Sequence, residues 1–563
     1  MASLRLDYKY QGSYLPKVTN WPGQARGSGG SKIPTLVAYD GTRNVACGEE
    51  ALKHLDSDTV RVAKLFKLHL HPETIKTGLQ SLAIPPLPYG VSITKVYADI
   101  ISYLFSHTRS YFEERGGGSI VWSRLRDSME FIFAIPNGWN YIQHQTLRQA
   151  AIDAGLFPSW KANSQLQFIT EAEASVHFAL TYGTTKGWMS SGEVFGVIDA
   201  GGSTTDSTLY TCSSVYPDMV LREAGAGGVT VDDGFRSMLR NKLRNSDYED
   251  EETVETIVTN YEPKTKRLFD GVMDRNVVQF GGPRDTDRNL GIFKGKISLT
   301  TSEMVIAFNE TVSKILASVR RLVSKSTPKY LLVVGGFGES PYLQKRLKDE
   351  FGSRGISFII CPDQATKKAA AEGAAIWYLK KLVKSRIARA TFGTCTNTPY
   401  EPALHRSRPY QIRTNHAGVI QATDVFDTWV TKGTIVEDGF SHVEKYRITR
   451  AKNFLTSWFS IPLGMQEQEV YMWEGEDPPT WVKDKSGAVT PGLKHVCTVK
   501  ADVSGLTNSM EVRSGSKGEY YAVEFQVAIS LPVGGAQLQA KLQWEEHGVK
   551  MEGPASTIVD LGN

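Results

Sequence analysis

The chain has 563 residues, 64 basic against 60 acidic, and a formal net charge of +4. With 41% hydrophobic and 22% charged residues it reads as an ordinary globular chain of about two to four domains. So even a charge balance argues against nucleic acid as a partner, and no stretch approaches the ~20 apolar residues of a membrane-spanning helix.

The first thirty or so residues read as irregular, with a turn at Trp21-Pro22-Gly23 and a flexible connector at Gly27-Ser28-Gly29-Gly30-Ser31. Ile33 to Tyr39 is an extended run, closed by the hairpin signal Asp40-Gly41. Lys64 and Lys67 flank Leu65-Phe66. Either lysine could reach a phosphate, or could be solvated beside a core pair. Apolar spacing predicts a helix over Thr94–Tyr111, after which Gly116-Gly117-Gly118 should break the chain. Met129 to Pro136 reads as a strand, Asn140 to Ala154 as a helix stopped by Gly155, and Phe168 to Glu171 as a short strand. Ala172 to Tyr182 is a helix of small residues, able to pack closely on another helix.

Val194 to Asp206 is the most informative stretch. The apolar run Val194, Phe195, Val197 and Ile198 predicts a buried strand. Asp199 ends it, Gly201-Gly202 opens a turn, and Ser203-Thr204-Thr205-Asp206 follows. Glycines let backbone N–H groups close on an anion, and an aspartate beside such a cradle can hold Mg²⁺ through water. A plain β-hairpin with a Gly-Gly turn is the competing reading. A second glycine turn is expected at Gly225-Ala226-Gly227-Gly228, before a helix at Asp233–Arg240. Asp247 to Glu255 is charged, and Val258 to Phe269, carrying Glu262, Lys264, Lys266 and Arg267, reads as a helix with a solvated face. Ser302 to Ser324 is a long amphipathic helix. Tyr330 to Val334 is a buried strand running into Gly335-Gly336-Phe337-Gly338, with a helix from Tyr342 to Phe351. Ala369 to Val383 is a second helix of small residues. The pattern to this point is mixed α/β.

From about Ser385 the pattern becomes β-rich. Tyr521 to Ile529 and Leu538 to Trp544 alternate apolar and polar residues around Pro532-Val533-Gly534-Gly535, a half-buried hairpin. The five cysteines, Cys47, Cys212, Cys361, Cys395 and Cys497, have neither zinc nor disulfide spacing. The N-terminal residues lack a signal-peptide core. A cytoplasmic protein with reduced thiols is expected.

Taken together, these motifs resemble the actin, hexokinase and heat-shock-chaperone ATPase superfamily. Within it they look most like the heat-shock 70 family, in a divergent fungal branch related to the 12A-type members. The resemblance covers roughly residues 15–385. Val197 to Asp206 is similar to the family's second phosphate motif, Ile169 to Ala174 to its first connecting helix, Val333 to Ser340 to its adenosine motif, and Ala370 to Ala375 to its second connecting helix. It implies an actin-like two-lobed ATPase domain, with lobes at 1–190 and 191–384, followed by a β-rich domain at 385–563. It implies ATP or ADP with Mg²⁺ as cofactors. Asp199 would hold the metal through water or orient the attacking one, and Gly201, Gly202 and Thr204 would contact phosphates. Glu171 would relay nucleotide state between lobes. Gly227 and Gly228 would contact phosphate, and Glu262, Lys266 and Arg267 would clamp adenine and ribose. Gly335, Gly336, Phe337 and Gly338 would seat the adenosine.

One family element has no counterpart. The first phosphate motif, Asp-x-Gly-Thr-Thr on the first strand, is absent, and residues 1–14 hold nothing like it. The resemblance then implies a chain beginning inside the first lobe. It is either a shortened or mis-started form, or a degenerate relative that binds nucleotide weakly or not at all. The expected function is an ATP-binding, chaperone-like protein with slow hydrolysis coupled to lobe closure, acting on protein clients or with co-chaperones. The alternatives are a nucleotide-impaired interaction scaffold and a small-molecule kinase, the latter disfavoured by the β-rich tail. A basic segment at Leu382–Arg386 and the lack of a helical lid separate that tail from a standard heat-shock substrate domain.

Overall fold

The structure is a computed structural model. It describes residues 18–24, 32–72, 84–136, 139, 141–182, 189–200, 204–214, 220–230, 234–261, 265–273, 276–360, 369–380 and 383–388. It further describes residues 390–437, 439–452, 463–530, 537–546, 549–553 and 556–560. The chain divides into two compact units, Met1–Val383 and Lys384–Asn563.

The first unit is mixed α/β, as its sequence pattern predicts. β1 (Val37–Asp40) and β2 (Arg43–Cys47) form the hairpin signalled by Asp40-Gly41, with Asp40 opposite Arg43 and Gly41 at φ 59. β3 (Val60–Ala63) pairs on the other side of β1. The expected amphipathic helix is α1 (Ile93–Phe112), capped by Ser92, whose side chain accepts from the Lys95 N–H. The glycine triplet does not break the chain where expected. Residues Glu113–Gly117 continue as a π-helical turn, and only Gly118, at φ 70, redirects the chain into a further helical segment, Gly118–Leu125. A π-turn keeps the backbone hydrogen-bonded through glycines that propensity alone would unwind. β4 (Phe131–Ile135) lies parallel to β5 (Leu166–Thr170), joined through α2 (Tyr141–Asp153). α3 (Glu171–Tyr182) follows β5 directly.

A second sheet in this unit runs in the order β13, β12, β6, β7, β8. β6 (Val194–Ala200), β7 (Thr204–Ser214) and β8 (Val220–Thr230) form an antiparallel meander. β12 (Tyr330–Val334) lies parallel to β6, and β13 (Ser357–Ile360) parallel to β12. Between the meander and β12 come α4 (Gly234–Leu243), α5 (Glu251–Tyr261), a small sheet of β9 (Asn276–Gln279), β10 (Ile292–Phe293) and β11 (Lys296–Leu299), and α6 (Thr301–Lys325). A capping box formed by Thr300 and Glu303 starts α6. α7 (Pro341–Phe351) and α8 (Ala369–Lys380) complete the unit.

Both faces of the sheet are covered, which is why β6 and β12 read as continuous apolar runs. Ile198, Leu331 and Val333 join a core with Leu239, Ile257, Val312 and Leu347 from α4, α5, α6 and α7. On the other face, Val197, Leu332 and Val334 pack on Val176, Ala179 and Leu180 of α3. Of the stretch Val258–Phe269, Glu262 and Lys264 lie outside the described residues, and its first residues belong to α5, which is amphipathic. Val254, Ile257, Val258 and Tyr261 of α5 are buried, because its apolar residues recur at helical spacing.

The second unit is antiparallel. One sheet runs β16 (Ile412–Thr414), β17 (Ile420–Val430), β15 (Thr391–Pro399), β20 (Met465–Trp473), β21 (Leu493–Asp502). The other runs β19 (Ser441–Ala451), β23 (Gly518–Ser530), β24 (Gln537–Glu546), β25 (Val549–Glu552), with β22 (Glu511–Gly515) also on β23 and β26 (Ser556–Asp560) also on β24. The predicted hairpin is β23 with β24, Ile529 opposite Ala540. β14 (Val383–Ile387) pairs with β18 (Ile435–Glu437).

Candidate functional site

Four strands of the meander sheet align their ends. Val334 of β12 stands opposite Asp199 of β6, Asp199 opposite Asp206 of β7, and Asp206 opposite Gly228 of β8. The parallel strands β6 and β12 end together on this edge, and in open α/β sheets ligands usually bind beyond the carboxyl ends of such strands. Gly227 and Gly228 lie inside β8 and not in the turn that their sequence predicts. Pairing to Ser207 and Asp206 extends the ladder through them.

Beyond Val334 the chain turns at Gly335, φ 85. A Cβ there would stand 2.5 Å from both the Ala200 carbonyl oxygen and Asp199 Oδ1. Only glycine fits such a seat. The Phe337 N–H then donates to the Ala200 oxygen at 2.9 Å, and the Gly338 N–H to the Gly335 oxygen at 3.1 Å. Gly338 packs on the Val334 carbonyl, Phe337 stacks near Phe308 at 5.9 Å, and Ser340 caps α7. Gly336 is different: it is exposed, and nothing lies within 4 Å of a Cβ built on it.

From the other side, Thr170 ends β5, and its Oγ1 accepts from the Glu173 N–H at 3.1 Å. The strand thereby passes into α3 without a loop, and Glu171 becomes the first helical residue. Ser175 is one turn further along the same face. Its Oγ donates to Asp199 Oδ2 at 2.8 Å. The Glu171 carboxylate pairs with Lys67 Nζ at 3.0 Å. Lys67 also lies 5.9 Å from the Trp139 ring, whose Nε1 donates to His71 Nδ1 at 2.8 Å. Lys67 therefore neither floats in solvent nor simply covers the core. Burial, then the Glu171 charge, pushes the Tyr97 phenol up, so it stays neutral. Burial, then Arg148, pushes the His144 imidazole down to about 3, and this ring stacks on Phe168 at 4.9 Å.

Asp199, Glu171, Gly335, Gly336, Phe337 and Gly338 are thus described, with Asp199 and Gly335 in direct contact and Glu171 joined to them through α3. Thr204 begins β7, and Lys266 and Arg267 lie on the short helix Thr265–Leu268; only their backbones are described. Gly201, Gly202 and Glu262 lie outside the described residues. Ser175 is the residue that sequence reading missed. Its only signal is its position four residues after Glu171. No cluster of three or more His, Cys, Asp or Glu side chains among the described residues is arranged to hold a metal. A single carboxylate is nevertheless enough for Mg²⁺, which keeps most of its waters and takes phosphate oxygens. Asp199, half-buried with one oxygen held by Ser175, fits that demand.

No protein-family model matches the chain. Curated proteins do, and the similarity is distant. The relatives are Heat shock 70 kDa protein 12A of Homo sapiens, 26% identical over 220 residues, and its Mus musculus counterpart, 27% identical over 216. Each match covers 38% of this chain and 29% of the relative, so the chain spans less than a third of the length of these proteins. At this level the similarity supports a distant heat-shock-70-like relationship. No helix among the described residues is long and apolar enough to cross a membrane.

Proposed function

We propose that this chain is an ATP-binding, chaperone-like protein of the heat-shock 70 type, in which slow hydrolysis is coupled to closure of two lobes, 1–190 and 191–384. The observation that carries this reading is the seating of Gly335 against Asp199 at the ends of β6 and β12. It brings an acidic strand end and a glycine turn to one edge of the sheet, an arrangement from which a nucleotide site can be built. ATP or ADP with Mg²⁺ would lie along that edge. Asp199 would hold metal-bound water, and Gly201, Gly202, Thr204, Gly227 and Gly228 would face phosphates. Glu262, Lys266, Arg267 and the Gly335–Gly338 turn would take the nucleoside. Glu171, ion-paired to Lys67 and one helical turn from Ser175, would sense the phosphate end. Catalysis of this type is positioning and charge stabilisation. The β-rich domain, 385–563, would face protein clients or co-chaperones in the cytoplasm.

Calorimetry of the purified chain with Mg-ATP, followed by a turnover assay, tests this reading. Binding with turnover is expected. Binding without turnover removes the hydrolase and leaves a scaffold; no binding removes the nucleotide reading altogether.

A further inference from the structure

The segment Ile84-Pro85-Pro86-Leu87-Pro88-Tyr89-Gly90 leads into α1. Proline fixes φ at about −65° in Pro85, Pro86 and Pro88. Ile84, Pro85 and Leu87 each precede a proline, which pushes their ψ into the extended region. Neither helix nor strand covers residues 84–88. Pro88 to Val91 then form a β-turn, the Val91 N–H donating to the Pro88 oxygen at 3.0 Å, with Gly90 at φ 75 and Tyr89 outside the positive-φ region. This is a type II turn, and its second residue, here Tyr89, has backbone angles close to polyproline II. The polyproline II path therefore runs from Ile84 through Tyr89.

A polyproline II helix has three residues per turn, so residues three apart share a face. Burial follows that period. Pro88 is buried and Pro85 half-buried. Ile84 and Leu87 are half-buried, Leu87 on the core of Val37, Phe66 and Val96. Pro86 and Tyr89 are exposed, and Tyr89, at 99%, touches almost nothing of the protein. The segment is held on both sides of Tyr89. His69 Nε2 lies 2.7 Å from the Pro85 oxygen, and Val91 enters the same core as Leu87, just before the cap residue Ser92. A single exposed ring needs no explanation. An exposed ring and an exposed proline on one face of a fixed polyproline II path are a recognition chemistry.

We propose that Pro86 and Tyr89 are the two anchors of a docking ligand for a partner domain whose groove is lined by aromatic rings and reads polyproline II segments. The anchors stand about 9 Å apart, one polyproline II turn. Their geometry is set before binding, which lowers the ordering cost of association. A groove that reads Pro-x-x-Pro, as in SH3 domains, would need Pro85 and Pro88, and Pro88 is buried. The fitting groove is the kind that pairs a proline cleft with a tyrosine pocket, as in WW domains. Nucleotide has no part in this recognition.

Titration of a panel of isolated, isotope-labelled WW domains with the full chain, followed by NMR, tests the proposal. At least one is expected to bind through its aromatic groove. Tyr89→Ala and Pro86→Ala should each weaken that binding at least tenfold. Leu404→Ala, at an exposed apolar residue of the second unit, should leave it unchanged. Because the Tyr89 side chain is almost fully exposed, Tyr89→Ala should keep the thermal midpoint of the chain, which separates lost docking from lost folding. Binding to no WW domain would overturn the proposal, as would binding indifferent to Tyr89→Ala, or binding to SH3 domains instead. So would a self-association of the chain that Tyr89→Ala abolishes, which would assign the segment to a second copy.

Discussion

Gly373 of α8 lies directly against the backbone of Ala174 in α3, so close that a Cβ on Gly373 would overlap the Ala174 carbonyl oxygen. This contact joins the two helices of small residues. Gly373→Ala should force them apart and cost about 1–3 kcal/mol, the usual scale for overpacking. Chemical denaturation would measure it, with Leu379→Ala, on the exposed side of α8, as a near-neutral control.

Gly335 and Gly336 are adjacent but unequal. Gly335→Ala combines a positive φ with a collision at Ala200 and Asp199, so a stability loss of at least about 1 kcal/mol is expected. Gly336→Ala meets nothing in the protein. It should fold normally and lose affinity for Mg-ATP in calorimetry, since only a ligand would feel the added methyl. Retained affinity in folded Gly336→Ala would place the nucleoside elsewhere.

The Lys67–Glu171 pair is partly exposed, so its loss should alter stability by no more than about 1 kcal/mol. Glu171→Gln should instead abolish any ATP-dependent change in the protease-cleavage pattern while leaving binding near normal. Asp199→Asn should do the reverse, weakening Mg-ATP binding while the Ser175 hydroxyl still finds an oxygen to donate to.

His144 makes stability pH-dependent in a defined direction. Its folded pKa is depressed to about 3, well below the ordinary value, because burial disfavours the imidazolium. The unfolded chain therefore takes up a proton near pH ~6.5 that the folded chain refuses. The contribution is complete above that pH and is lost as pH falls from there toward 3, with a slope of up to ~1.4 kcal/mol per pH unit. Denaturation midpoints across pH 4–8 would show the slope, and His144→Gln should flatten it.

Much of this protein was legible in local pattern. The apolar runs of β6 and β12, the period of α1 and α6, and the alternation of β23 and β24 all announce themselves, because burial on one or both faces imposes a repeat on the sequence. Glycine at 335 and aspartate at 199 likewise stand out as residue types with restricted uses. Local pattern did not reveal that Gly227 and Gly228 extend a strand, or that a π-helical turn carries the chain past Gly116, since neighbours can override propensity. Nor could it show which partners meet. Asp199 touches Ser175 and Gly335, and Glu171 holds Lys67, across sequence separations of 24 to more than 100 residues. Those meetings depend on strand register and helix crossing, which are set by the packing of the whole unit and leave no mark on any single stretch of sequence.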